Sequence, residues 1–549
     1  MTRSIRRRTP VLAWLLLAAA AAHAEDLPIP RFEGLGPSGR TITTESAEAQ
    51  RWFDQGMGFY WGFHHEEAVR SFEEAIRHDP RCAMAYWAKA LSLGPNINRM
   101  AMDASASEAA WDNVRAAVEQ SSACSPTERD LIRALATRYA DPAPEDRSTL
   151  DRAYADAMRA VYETHADDAD VAALFAEALM DLRPWDLWSS SGEPRPETPE
   201  VLATLEEAMR LRPDHPGANH FYIHACEASL EPGRALPAAD RLRDLCPGVG
   251  HLVHMPSHID IRLGRYAEAV ETNERAVRAD LDYLAKGGVS DFYTNYRAHN
   301  YHFIAYGAMF SGRKATAMHA ARELAQQIPP DVLDRYRDVL DAFLALPVHV
   351  MVRFGDWEAL LAEPAPAAEL PVSTAFWRYG RTVALAALGR AEEGAAELAR
   401  LREAVERVPE SAYISNNQAR VVLDVALPFA EGELTYRRGN PERAFELLRI
   451  AVERDDALKY DEPWGWMEPV RHALGALLLE QGRVEEAEAV YREDLAIHPN
   501  NGWALHGLAE CLRRSGRAEE AAKTEGLFRV AWKDADTVIA ASCYCRTKT

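Results

Sequence analysis

Apolar and small residues recur along this chain at helical spacing, in paired segments separated by glycine-containing turns. The clearest stretch begins at Ala49. Trp52, Gly56, Phe59, Ala68, Phe72, Ala75 and Pro80 fall at positions 4, 8, 11, 20, 24, 27 and 32 of a 34-residue unit. This spacing predicts two antiparallel helices per unit. The small residues let the two helices touch, the aromatics fill the gap between successive pairs, and the proline ends the second helix. A turn Gly at position 15 and an Ala at position 20 place the same unit elsewhere. Gly264 and Ala269 start one at Gly250, Gly312 and Ala317 at Ala298, and Gly439 and Ala444 at Val425. Gly482 and Ala487 start one at Glu468, and Gly516 and Ala521 at Gly502. Weaker units start at Ala83, Pro216, Asp341 and Ala375.

This set of residues resembles the tetratricopeptide-repeat (TPR) family, and the resemblance covers most of residues 49–530. It implies an all-α solenoid, a right-handed superhelix of antiparallel helix pairs. Two stretches depart from the pattern. Residues 95–168 read as helical but out of register, and residues 281–297 read as an insertion rich in Gly, Tyr and Asp. The expected organisation is a signal peptide at 1–24, a lead-in at 25–48, the array at 49–532 and a tail at 533–549.

The histidines change the picture. Position 5 holds His220, His254, His302, His472 and His506, where the other readable repeats have Phe53, Trp87, Ala345, Tyr379 and Phe429. Position 9 adds His224, His258 and His349, and position 2 adds His251 and His299. With 18 histidines in 549 residues, chance explains this poorly. The TPR resemblance implies that positions 2, 5, 9 and 12 face the concave groove. His220/His224 and His254/His258 are i,i+4 pairs, and His251/His254 and His299/His302 are i,i+3 pairs, so each pair shares a helix face. Imidazole-rich sets suit transition metals, here Cu, Fe or Zn. The expected ligands are His220, His224, His251, His254, His258, His299 and His302, with His472 and His506 joining if the superhelix closes a turn. Glu227 and Tyr306, on the same groove positions, are the expected proton-handling residues. Pro256, at position 7, predicts a break that frees the carbonyl of Leu252. It either kinks the helix or leaves His251 and His254 on a loop.

Composition narrows the setting. Arg3, Arg6, Arg7 and Arg8, the apolar run Val11–Ala22 and the Ala22-His23-Ala24 site read as an export leader. Periplasmic or secreted localisation is the expectation, with no membrane association beyond export. The net charge of −22 repels nucleic acid and anionic lipid. Seven cysteines are too few for a disulfide scaffold. Cys82–Cys124 is one candidate bridge, and Cys543 and Cys545 fall in a loose tail. The strings around His254–His258 and His299–Phe303 resemble those of secreted bacterial TPR proteins, which supports export and supplies no activity. No phosphate loop, nucleophile elbow or His-Glu-x-x-His helix is present.

Three functions fit these residues. The first is a metal-dependent oxidoreductase. The second is a metal-free scaffold holding a protein or peptide in its groove. The third is a periplasmic metal-binding or delivery protein without turnover.

Overall fold

The computed structural model describes residues 29–37, 39–289 and 291–546. The expected signal peptide lies outside the described residues. The chain is a succession of antiparallel α-helix pairs, beginning with Ala47–Tyr60 and His65–His78 and ending with Gly502–Arg514 and Ala518–Ala531. The only strands among the described residues are Tyr413–Ile414 and Asn417–Gln418, a small antiparallel hairpin.

The glycines that set the register do what their position requires. Gly264, Gly312, Gly355, Gly389, Gly439, Gly482 and Gly516 all adopt φ between 69° and 81°. That left-handed conformation ends the first helix of each pair and is open to glycine without a Cβ penalty. At position 8 the reason is space. A Cβ on Gly56 would lie 2.3 Å from the Phe72 ring. The glycine is therefore what lets the two helices close around a buried aromatic.

Residues 95–168 contain the helices Ala104–Gln120, Pro126–Ala136 and Ser148–Thr164. Of the stretch 281–297, the two ends are helical: Tyr266–Ala285 reaches into it from one side and Thr294–Phe310 from the other. The lead-in docks on the array through Phe32 N–H to Gln55 Oε1 (3.1 Å) and Thr43 Oγ1–H to Glu128 Oε2 (2.6 Å).

The array winds far enough to touch itself. Trp503 Nε1–H donates to the Met309 carbonyl (2.8 Å), and the Tyr460 hydroxyl to Glu227 (3.1 Å). The C-terminal segment packs back on the solenoid rather than hanging loose. Ser542 Oγ–H donates to the His472 carbonyl and buried Arg353 to the Ser542 carbonyl, both at 2.6 Å. Cys543 and Cys545 form a disulfide. Cys82 and Cys124 are unpaired buried thiols, so the expected bridge between them is not formed. Each sits in apolar packing, and burial raises their pKa to about 12 and about 11. Among the described residues no helix is long and apolar enough to cross a membrane.

Candidate metal centre

Three neighbouring first helices supply the cluster. Pro216–Glu227 carries His220, His224 and Glu227. Gly250–His254 and Pro256–Arg262 carry His251, His254 and His258, and Thr294–Phe310 carries His299. At Pro256 the helix divides into the segments Gly250–His254 and Pro256–Arg262. Helical geometry persists through Met255 (φ −50°, ψ −39°), so His251 and His254 sit on a helical turn, not on a loop.

Six imidazoles converge in two groups. The ligand nitrogens of His220, His224 and His251 lie within 4.8 Å of one another, as do those of His254, His258 and His299. A third overlapping group, His224, Glu227 and His258, joins the two. All except half-buried His299 are buried, with exposures of 0 to 4%.

The partners of Nδ1 decide what the rings can do. His220 Nδ1–H donates to the Trp61 carbonyl (2.7 Å). His224 and His258 donate from Nδ1 to the two oxygens of Glu227, at 2.7 and 2.6 Å. His254 Nδ1–H donates to Asn273 Oδ1 (2.6 Å), whose amide is oriented by its own donation to the Ala269 carbonyl (2.8 Å). With Nδ1 carrying the proton, Nε2 of each ring is a bare lone pair. His254 Nε2 and His258 Nε2 then face each other at 2.6 Å. Two lone pairs at that distance repel unless a cation lies between them. His224 Nε2 and His251 Nδ1 are buried with no partner. Burial, reinforced by the neighbouring imidazoles, holds His220, His251, His254 and His299 well below the ordinary histidine range. Burial also lowers His224, against the pull of Glu227. Such rings are neutral, as metal ligands must be.

Burial opposes ionisation of Glu227, but the Nδ1–H groups of His258 and His224 that donate to it outweigh burial and keep the carboxyl ionised. It accepts from both rings and from the Tyr460 hydroxyl (3.1 Å). Glu227 therefore stands behind the ligands and orients them, an arrangement that raises ligand basicity. It does not face the lone pairs as a free base would.

The remaining expected residues lie apart. His302 Nε2 contacts Met467 Sδ at 2.9 Å. His472 has both nitrogens engaged: Nδ1 accepts from Arg353 (2.9 Å) and Nε2–H donates to Asp494 (2.9 Å). His506 packs against Phe528. Tyr306 is buried in the core against Phe310, with ring centroids 4.4 Å apart. These four do not reach the six-histidine cluster.

Several side chains reach the site from segments between helices. Tyr460 comes from a loop 233 positions beyond Glu227. Phe63 stacks on His251 and His224, and the Trp185 ring meets His224 edge-on at 5.2 Å. Both aromatics have left-handed backbones, at φ 54° and 58°. A cavity of about 270 Å³ opens over the cluster, with His224, His251, His258 and His299 among its lining residues. Ser415, also left-handed at φ 47°, and Glu462 line it too. Of the four non-glycine residues with positive φ among those described, three surround this site. Strain of this kind persists where surrounding structure enforces it, and it collects at functional sites. Burial, with Glu227 and Asp461 nearby, pushes Glu462 well above the usual carboxylate range. Its Oε2 has no partner.

Residues 478–524 match the tetratricopeptide repeat family. No curated protein matches the sequence. Among solved structures, the human IFIT1 dimer with PPP-AAAA has 12% identity and a TM-score of 0.33 over 89% of this chain and 91% of that one. The APC/C hetero-tetramer Cut9–Hcn1 has the same identity and TM-score over 89% and 74%. Likenesses of that degree say nothing about function. The run of helix pairs makes the described residues an all-α solenoid, and one segment of it matches the tetratricopeptide repeat.

Proposed function

We propose that this chain is an exported transition-metal protein. In this reading the paired three-histidine groups bind two neighbouring ions at the floor of the cavity, and the centre acts as an oxidoreductase on a small molecule. The observation that carries the reading is the His254–His258 pair. Both Nδ1 protons are committed, and the two Nε2 lone pairs meet at 2.6 Å. Burial holds His254 neutral, so its Nε2 enters the contact as a lone pair. A metal ion with nitrogen bonds of about 2.0–2.1 Å relieves the repulsion after a small opening of the pair. Three imidazoles per ion leave coordination positions free on the cavity side, the arrangement of catalytic rather than structural sites.

The cavity suggests the substrate class. Trp185, Phe292, Tyr296 and Phe343 offer aromatic faces, Asn98 and Asn416 offer neutral hydrogen bonds, and no Lys or Arg lines it. A flat, uncharged molecule fits this chemistry better than an anion. The burial of the rings weighs against a peptide-binding strip, which needs its side chains at the groove surface.

Elemental analysis of untagged protein after reconstitution with Cu, Fe or Zn tests the proposal. Two ions per chain are expected in the wild type, with loss of one or both in His254→Ala. Substoichiometric metal in every reconstitution overturns it. A loaded protein with no turnover on any phenolic or amine substrate would leave metal binding standing and remove the oxidoreductase reading.

A further inference from the structure

We infer that His302, His349 and Met467 form a separate, soft-donor metal site that takes Cu(I). These residues belong to three different elements: the helices Thr294–Phe310 and Leu346–Phe354 and the loop before Val470–Glu480. All three line one small cavity of about 30 Å³, walled by Phe343, Leu346 and Phe376. That is room for one ion or one water. All three are more than nine-tenths buried, with exposures of 8, 4 and 3%.

The donors are prepared in the same way as in the larger cluster. His349 Nδ1 lies 3.1 Å from both oxygens of Glu468. The carboxylate accepts from Nδ1–H, which fixes that tautomer and leaves Nε2 as the lone pair. His302 Nε2 lies 2.9 Å from Met467 Sδ, and its Nδ1 is buried without a partner. Neither neutral tautomer serves both nitrogens of that ring, so the pocket holds a polar group it does not satisfy.

The chemistry of the set names the ion. Two imidazoles with a thioether, in apolar walls, select Cu(I) over Zn or Fe, because thioether sulfur is a soft donor. Metal–nitrogen and metal–sulfur bonds of about 2.0 and 2.3 Å fit a 2.9 Å gap only near a right angle, so loading opens the pair slightly. The adjacent Met467 and Glu468 supply both the sulfur ligand and the carboxylate that orients His349. The site begins one helical turn from the larger cluster, with the His299 and His302 rings 6.4 Å apart. It shares no ligand with that cluster, so it stands or falls separately.

The test is anaerobic titration of apo-protein with Cu(I) against a chromophoric chelator, with X-ray absorption of the loaded protein. The expected result is one Cu(I) with a sulfur neighbour at about 2.3 Å beyond those held by the six-histidine cluster. Met467→Leu, which keeps volume, should remove the sulfur signal and weaken that equivalent by at least about tenfold. His349→Ala should weaken it similarly, with circular dichroism confirming that both variants fold. Absence of a sulfur neighbour in the loaded wild type overturns the inference, as does a Met467→Leu titration identical to wild type. Loss of the six-histidine ions alone would leave the sulfur-bound equivalent in place, so the two proposals fail in distinguishable ways.

Discussion

His254 and His472 occupy the same repeat position on equivalent helices, and both are fully buried, yet they are different chemical objects. His472 spends both nitrogens, accepting from Arg353 and donating to Asp494. His254 spends one, on Asn273, and turns the other toward His258. Repeat position brings an imidazole to the interior, but it does not decide whether the ring is a structural connector or a ligand. The second partner decides that. A cation on one side of the ring uses up the lone pair, whereas a carboxylate or amide oxygen on the Nδ1 side leaves it free.

The strongest way to break this comparison is to remove the acceptor that frees two rings at once. Glu227→Ala deletes the partner of both His224 and His258. Loss of such a partner costs about 10- to 100-fold in metal affinity per oriented ligand, so chelator competition should show the largest deficit of any single change that spares the ligands. Glu227→Gln can accept from one ring but not serve both as a carboxylate does, and should fall between. An unchanged affinity in Glu227→Ala would mean that the rings are positioned by packing alone.

The reverse experiment sharpens the contrast from the other side. His472→Ala should leave metal content untouched and act on stability alone. It removes one hydrogen bond from each of Asp494 and Arg353, both buried, leaving Asp494 with Asn501 and Arg353 with the Ser542 carbonyl. Hydrogen bonds to charged groups are worth about 1.5–3 kcal/mol each, and urea unfolding should show a loss of that order. Metal loss in this variant would place His472 with the central rings after all.

The contrast also explains which parts of the molecule were legible in its sequence. The solenoid was, because each turn needs a left-handed residue and Gly264, Gly312 and their counterparts mark it. The convergence of His220, His224, His251, His254, His258 and His299 was largely legible as well, since i,i+3 and i,i+4 spacing on adjacent helices requires a shared face. Pro256 marked the division of the helix but not the backbone there, which stays helical through Met255. The orienting groups were not legible. Trp61 offers a backbone carbonyl 159 residues from His220, and Tyr460 reaches Glu227 only because the superhelix closes. Tyr306 had the right repeat position and the wrong surroundings, packed against Phe310 instead of the cavity.

The smallest effect concerns strain, and it compares two left-handed residues in two places. Ser415 (φ 47°) sits at the tip of the 413–418 hairpin and lines the cavity over the six-histidine cluster. Asn500 (φ 57°) sits outside that cavity, donating from Nδ2 to the Leu263 carbonyl (3.3 Å). Left-handed backbone costs an ordinary residue about 1–2 kcal/mol, and asparagine less. Ser415→Gly should therefore raise stability by about 1 kcal/mol, while Asn500→Gly should change it little. If the strain at Ser415 holds the hairpin tip in place above the ions, relieving it should also loosen small-molecule binding in the cavity without altering metal stoichiometry, and Asn500→Gly should do neither. Equal behaviour of the two glycine variants, in thermal unfolding and in ligand titration, would make the strain at the cavity incidental to the site.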